Sequence, residues 1–235
     1  MPGHIEMEDN SHNKILKLLE EKVLLKQEVF GSTKSVFDEL KKSLNKIADD
    51  LKLSVKNISK ELSIEFKDTG DYECQFILGD ETLVFVMHTN IFTFDNSHEI
   101  WRQKYVQQDN RRSYCGKIFI YNFLYDSFHY NRINDVGYLI ARIFINRERH
   151  FFVEGKKQIE NLYNDFSTTI LDSENILKII ESSILYSLDF DLFTPPFESI
   201  QNISVKDIMD SSLQSRIATG KRLGFAFENE GKIDL

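Results

Sequence analysis

The chain has 235 residues, of which 41% are hydrophobic, and this is enough to bury a sizeable core. With 28% charged residues and only 10 glycines and 3 prolines, its composition is that of a folded protein. The formal net charge of -8 argues against nonspecific nucleic-acid binding, and two cysteines without a CxxC pair exclude a disulfide scaffold or a four-cysteine zinc site within one chain.

The N-terminal residues 1–11 are polar and predict a flexible tail. Residues 1–14 contain no apolar segment of the kind that a secretory signal requires, and no apolar run approaches the roughly 20 residues that span a bilayer. Together with the low cysteine content, these features predict a cytoplasmic protein without membrane association.

Residues 12–55 show helical periodicity, interrupted at Gly31. Apolar residues recur at every seventh position, as in a coiled coil: Leu16, Val23, Phe30, Phe37, Leu44 and Leu51. We therefore predict a helical hairpin that packs on the rest of the molecule, with a dimerising assembly arm as the alternative. Residues 56–235 are predicted to form the α+β domain.

Alternating polar and apolar residues in the middle of the chain predict strands joined by short connections, which favour antiparallel pairing. The predicted strands are 62–67, 72–78, 82–88, 117–125, 137–146 and 150–154, with a short one possible at 91–94. The predicted C-terminal helices are 156–166, 173–188 and 204–217, followed by a terminal strand at 222–227. The fold class is therefore α+β, with a mainly antiparallel sheet of five or six strands.

The order of elements, with helices before an antiparallel sheet that carries a long insertion, is similar to that of GAF and PAS sensor domains. The resemblance is one of topology and is not carried by any sequence motif. It implies a fold and leaves the function to be argued from individual residues.

The two strongest predicted strands each have an aliphatic face and an aromatic face, because side chains alternate along a strand. The aromatic face of the first carries Phe119, Tyr121, Phe123 and Tyr125. The corresponding face of the second carries Tyr138, Ile140, Arg142 and Phe144. If the strands pair in matching register the aromatic faces coincide, and Arg142 is the only charged residue among these eight.

This face has two interpretations. In the first, another element covers it and Arg142 pairs with a carboxylate, because an unpaired buried charge is costly. In the second, the face binds a small anionic or planar ligand or a protein partner, since Tyr and Arg are enriched at such surfaces. Residues 99–160 carry a net charge of +4, which allows a local anion site. The predicted binding residues are Arg142, Tyr121, Phe123, Tyr125, Tyr138, Arg111 and Arg112, the last two as part of a lid.

An enzymatic alternative comes from Asp135 and the later Glu154-Gly155-Lys156, which mimic the pattern of PD-(D/E)xK nucleases. In that chemistry two carboxylates hold a divalent metal and the lysine orients or activates water. There is no Pro-Asp pair, and Asp135 falls in a predicted turn.

The sequence contains no HxH, HExxH or GxSxG motif and no glycine-rich phosphate loop, so no metal centre or cofactor is predicted. The leading hypothesis is a non-enzymatic sensor or interaction module that uses the aromatic face, with the N-terminal helices mediating self-association. A purely structural assembly subunit is the third hypothesis.

Overall fold

A computed structural model describes residues 3–56, 59, 62–155, 165–192, 194, 196–206 and 208 of the chain. The N-terminal quarter is one continuous helix, made of α1 (Gly3–Leu18), a π-helical segment (Leu19–Leu24) and α2 (Leu25–Val55). It begins within the segment for which a tail was predicted.

The predicted helical hairpin is wrong, because α2 runs through Gly31 without a break. No atom lies within 4 Å of the position that a Cβ would occupy at Gly31, so the glycine has no close packing role there. A glycine inside a helix costs only about 1 kcal/mol relative to alanine. Helix α2 offsets this cost by burying eight residues along its length.

Six strands follow: β1 (Ile64–Gly70), β2 (Glu73–Leu78), β3 (Glu81–Met87), β4 (Gly116–Leu124), β5 (Tyr138–Ile145) and β6 (Phe151–Gly155). They form a single sheet in the order β1-β2-β3-β4-β5-β6, and every neighbouring pair is antiparallel. Gly79, with φ +63°, makes the tight turn between β2 and β3. The α+β prediction is confirmed, whereas the possible strand at 91–94 is reduced to one bridge between Phe92 and Cys115.

A long insertion separates β3 from β4 and contains three short helical elements: a 3₁₀ turn at Glu99–Arg102, α3 (Lys104–Gln108) and a second 3₁₀ turn at Asn110–Ser113. The short helix α4 (Tyr125–His129) joins β4 to β5. After β6 comes α5 (Ser173–Leu188). Asp172 caps it, because the carboxylate accepts a hydrogen bond from the backbone N–H of Asn175 at 2.9 Å. A short helix, α6 (Phe197–Ile200), follows.

The sheet has one face packed by α2 and α5, which we call the core face, and an opposite outer face. Apolar side chains of both helices join those of all six strands in the main core, including Phe37, Phe85 and Ile180. A second apolar cluster lies on the outer face, where Tyr105 and other residues of the insertion cover Phe144. The insertion thus covers only part of the outer face.

The predicted helices 156–166 and 204–217 fall largely outside the described residues, as does the whole of the predicted strand 222–227. Within the part of the chain that is described, no helix is both long and apolar enough to cross a membrane.

Candidate functional site

A β-bulge changes which residues of β5 share a face. Phe119 lies opposite Arg142 and Ile120 opposite Ala141, but Tyr121 lies opposite Leu139, so β5 contains one extra residue at Ile140. On the N-terminal side of the bulge, the residues of β5 that simple alternation predicts on the outer face lie on the core face instead. Tyr138 and Ile140 therefore join the main core, contrary to the prediction that they share the outer face with Arg142.

The outer face of β4 carries a row of three half-buried rings, Phe119, Tyr121 and Phe123, which we call the aromatic stripe. The rings of Phe119 and Tyr121 are stacked, with centroids 5.8 Å apart and planes inclined by 20°. Phe123 makes an edge-to-face contact with Phe128 of α4 at 5.3 Å. Alternation along β4 predicts this row correctly, because the strand is regular over its whole length.

Two other predicted tyrosines lie apart from the stripe. Tyr125 begins α4, where its ring stacks on His129 and its hydroxyl is 3.1 Å from the Nδ1 of that residue. The Tyr138 hydroxyl accepts a hydrogen bond from the Asn122 amide at 3.2 Å on the core face. Burial raises the pKa of Tyr138 to about 12, so its hydroxyl stays protonated at neutral pH.

Arg142 is on the outer face, beside the stripe, and its charge is balanced. Its Nε donates to Oε2 of Glu154 at 2.9 Å, and its Nη2 makes a second short contact with the same oxygen. The other Glu154 oxygen is 3.8 Å from Nε2 of His98. These contacts match the first interpretation of the sequence, in which Arg142 pairs with a carboxylate.

Lys117 brings a second cation to the N-terminal end of the stripe. Its Nζ lies 3.2 Å from the centroid of the Phe92 ring, in cation–π contact. Partial burial and the nearby charge of Arg142 lower the pKa of Lys117. The stripe is therefore edged by positive charge at this end.

Arg111 and Arg112 lie in the insertion, and none of their hydrogen bonds or ion pairs in the described part of the chain reaches Arg142. Arg112 stacks on Tyr105, donates to the Tyr105 carbonyl at 2.9 Å and pairs with Glu148. These contacts fix the insertion to the β5–β6 turn. The side chain of Arg111 is more exposed and is bound to Asp109.

The two carboxylates of the nuclease hypothesis bind different side chains. Asp135 is almost fully buried and accepts a hydrogen bond from the Ser127 hydroxyl at 2.8 Å, whereas Glu154 is bound to Arg142. Lys156 lies outside the described residues. The described residues contain no group of three or more His, Cys, Asp or Glu side chains that could hold a metal ion. The hypothesis stays a prediction.

A cavity of about 560 Å³, which no sequence pattern indicated, lies where the N-terminal helix passes the insertion. Residues from the two segments line it together, among them Glu21, Lys22, Phe94, Trp101, Arg111 and Tyr114. Of these, only Arg111 was predicted to bind a ligand. Periodicity reports on local structure and cannot show that residues some 80 positions apart share a cavity.

Comparisons with known proteins add no functional information. No family model matches the chain, and neither a curated protein nor a solved structure is significantly similar to it.

Proposed function

We propose that this protein is a non-enzymatic interaction module that binds a protein partner through the aromatic stripe. The observation that carries the proposal is the row of three half-buried rings on a sheet face that the insertion covers only in part. Aromatic residues and arginine are the residue types enriched at protein interfaces, where rings fill the partner's recesses and charges fix its orientation.

A protein partner fits this surface better than a small ligand does. Four cavities formed by described residues, with volumes of about 300–560 Å³, are lined neither by the stripe nor by Arg142. Small-molecule sites are concave and enclose most of the ligand, whereas protein interfaces are broad. Because Glu154 already balances Arg142, we assign Arg142 to the edge of the interface. The partner we expect presents apolar side chains to the rings and a carboxylate to Lys117.

The proposal is tested by photo-cross-linking with p-benzoylphenylalanine at position 121. The control places the same group at position 67, which lies on the outer face in line with Tyr121 but three strands away, on β1. A partner captured from position 121 and not from position 67 is then purified for calorimetry. We expect Tyr121→Lys to weaken its binding at least about tenfold, because a central aromatic contact is lost.

Lys67→Glu should leave the binding affinity within about twofold, since peripheral substitutions have small effects. The affinities are compared only if both variants have the same unfolding midpoint as the original protein. Equal capture from positions 121 and 67, or unchanged binding by Tyr121→Lys, would refute the proposed surface.

A second candidate function is self-association through the N-terminal helix, which makes the protein an assembly subunit. All residues from 11 to 24 are exposed, and the next residue, Leu25, is buried. Six large aliphatic side chains in this segment are 42–56% exposed: Ile15, Leu16, Leu18, Leu19, Val23 and Leu24. We call residues 11–24 the arm. An exposed apolar surface of this kind is typical of an interface.

A second copy of the chain is the occupant that we propose for the arm. The seven-residue repeat that places Phe37 and Leu44 in the core continues N-terminally into Leu16 and Val23. Lys14 and Lys17 precede Glu20 and Glu21 along the arm. An antiparallel pair of arms therefore brings the basic half of each against the acidic half of the other.

The proposal places this module in the cytoplasm. Cys74 and Cys115 are both free and buried, and burial raises the pKa of each thiol, that of Cys74 to about 12. Unpaired, unreactive cysteines are usual in a reducing compartment.

A further inference from the structure

The cavity between the N-terminal helix and the insertion combines aromatic rings with charged side chains. Phe94, Trp101 and Tyr114 contribute its ring surfaces. The Trp101 indole N–H already donates to the Asp95 carbonyl at 2.8 Å, which fixes the orientation of the indole. A volume of about 560 Å³ is within the range of small-molecule sites.

Two cations line the cavity and have donors to spare. Arg111 uses Nε and Nη2 to bind Asp109, at 2.9 Å each, and its Nη1 has no hydrogen-bond partner among the described residues. Lys22 makes no ion pair within the described part of the chain. Asp109 is also bound by Arg147, at 3.1 Å, so one carboxylate balances two guanidiniums and Arg111 keeps its Nη1 for a phosphate oxygen.

The helix is irregular at the point where it lines the cavity. Glu21 and Lys22 belong to the π-helical segment, and such segments are rare and are frequently found at functional sites. The Glu21 carboxylate, whose Oε1 is 3.7 Å from Nζ of Lys17, supplies acceptors, as a bound ribose requires for its hydroxyl groups. This turn of helix therefore offers the cavity an acceptor for hydroxyl groups, Glu21, and a hydrogen-bond donor to a phosphate, Lys22.

We propose that this cavity binds a nucleoside phosphate, with the base on the aromatic rings, the ribose hydroxyls at Glu21 and the phosphate at Lys22 and Arg111. Base–aromatic stacking and charge-assisted hydrogen bonds are the interactions that such a ligand needs. The cavity shares no residue with the aromatic stripe, so this inference is independent of the partner surface there. It shares Glu21 and Lys22 with the arm.

Trp101 is the only tryptophan of the chain, so its fluorescence reports directly on the cavity. The probes are the four ribonucleoside monophosphates, adenosine, inorganic phosphate and benzoate. We expect at least one monophosphate to change the Trp101 emission saturably and to give the same affinity by calorimetry. Adenosine and inorganic phosphate should each bind at least about tenfold more weakly, because each lacks one of the two anchors.

The test variant is Lys22→Gln combined with Arg111→Gln, and we expect it to weaken binding of the monophosphate at least about tenfold. Arg102→Gln is the matched control, because Arg102 is an exposed arginine of the insertion that does not line the cavity. Glu21→Gln should weaken binding of the ribonucleotide more than that of its 2′-deoxy analogue.

Three results would overturn the inference. The first is the absence of saturable binding for every monophosphate up to about 5 mM, which corresponds to a negligible affinity. The second is binding that the double variant leaves unchanged, since the ligand would then lie elsewhere. The third is inorganic phosphate or benzoate binding as tightly as the best monophosphate, because the site would then recognise an anion without a nucleoside.

Discussion

The guanidinium of Arg142 and the carboxylate of Glu154 face each other across β5 and β6, with Nε 2.9 Å from Oε2. This cross-strand pair joins the one charged residue of the predicted aromatic face to the glutamate of the nuclease hypothesis. Each hypothesis assigned its residue to a ligand or a metal, and in the structure the two residues bind one another. The partial exposure of this pair limits how much either residue contributes to the free energy of unfolding.

We expect Arg142→Gln to lower the free energy of unfolding by less than about 1 kcal/mol. The side chains of Arg142 and Glu154 are 38% and 35% exposed, so solvent and salt screen their attraction. A double-mutant cycle with Glu154→Gln, measured by urea denaturation, should give a coupling energy of about 0.2–1 kcal/mol that decreases in high salt. A coupling above about 3 kcal/mol would mean that the pair is buried.

We expect the protein to self-associate through the arm, with an equilibrium that sedimentation measures. The triple variant Leu16→Ser, Leu19→Ser, Val23→Ser should weaken dimerisation at least about a hundredfold, because each aliphatic side chain contributes about 1.5–3 kcal/mol when buried. Leu53→Ser is the control, since Leu53 is a 70% exposed leucine of the same helix outside the arm. A monomeric original protein at high concentration would refute self-association.

Two glycine substitutions should change stability in opposite directions. In Gly116→Ala, the new Cβ would lie 2.8 Å from both Cβ and Cγ2 of Thr33 and closer still to its hydroxyl. Because Thr33 is fully buried in α2, we expect a loss of about 1–3 kcal/mol. Gly31→Ala has open space and lies within a helix, so it should stabilise the protein by about 0.5–1 kcal/mol.

Thermal and urea unfolding of both glycine variants provides the measurement. A destabilising Gly31→Ala would indicate a helix break at residue 31, as in the hairpin that the sequence predicted. A neutral Gly116→Ala would indicate that β4 and α2 are not in close contact.

Glu148 should contribute to a loss of stability in acid. Burial raises the pKa of Glu148, but the hydrogen bond from Tyr105 at 2.8 Å and the positive charge of Arg112 outweigh this effect and lower the pKa overall. A carboxylate with a depressed pKa stabilises the fold above its unfolded value of about 4.3, and this contribution is lost as the pH falls through the folded value.

We therefore expect Glu148→Gln to be less stable than the original protein at pH 7 and the difference to shrink below about pH 4. Urea midpoints across this pH range provide the measurement. Glu181→Gln is the control, because Glu181 is exposed on α5 and has no ion pair among the described residues. A difference that stays constant down to pH 3 would contradict the role of Glu148.

Local patterns were sufficient to predict the six strands and α5, but not the unbroken N-terminal helix. The alternation in β4 and the helical period in α5 predicted both elements to within a few residues, because each has one face in the main core. The bulge at Ile140 could not be predicted, since its neighbours Leu139 and Ala141 are also apolar and either alternation is compatible with burial. For this reason the prediction that Tyr138 lies on the same face as Arg142 was wrong.

The sequence by itself determined the α+β class, the antiparallel sheet and the aromatic stripe, because these follow from short-range periodicity and short connections. Only the tertiary structure decided that Gly31 lies within a helix, that Arg142 binds Glu154, and that Lys22 meets Trp101 and Arg111 at one cavity. These features depend on contacts between distant segments. Such contacts form because burying whole faces of helices and strands contributes more free energy than the conformational preference of any single residue.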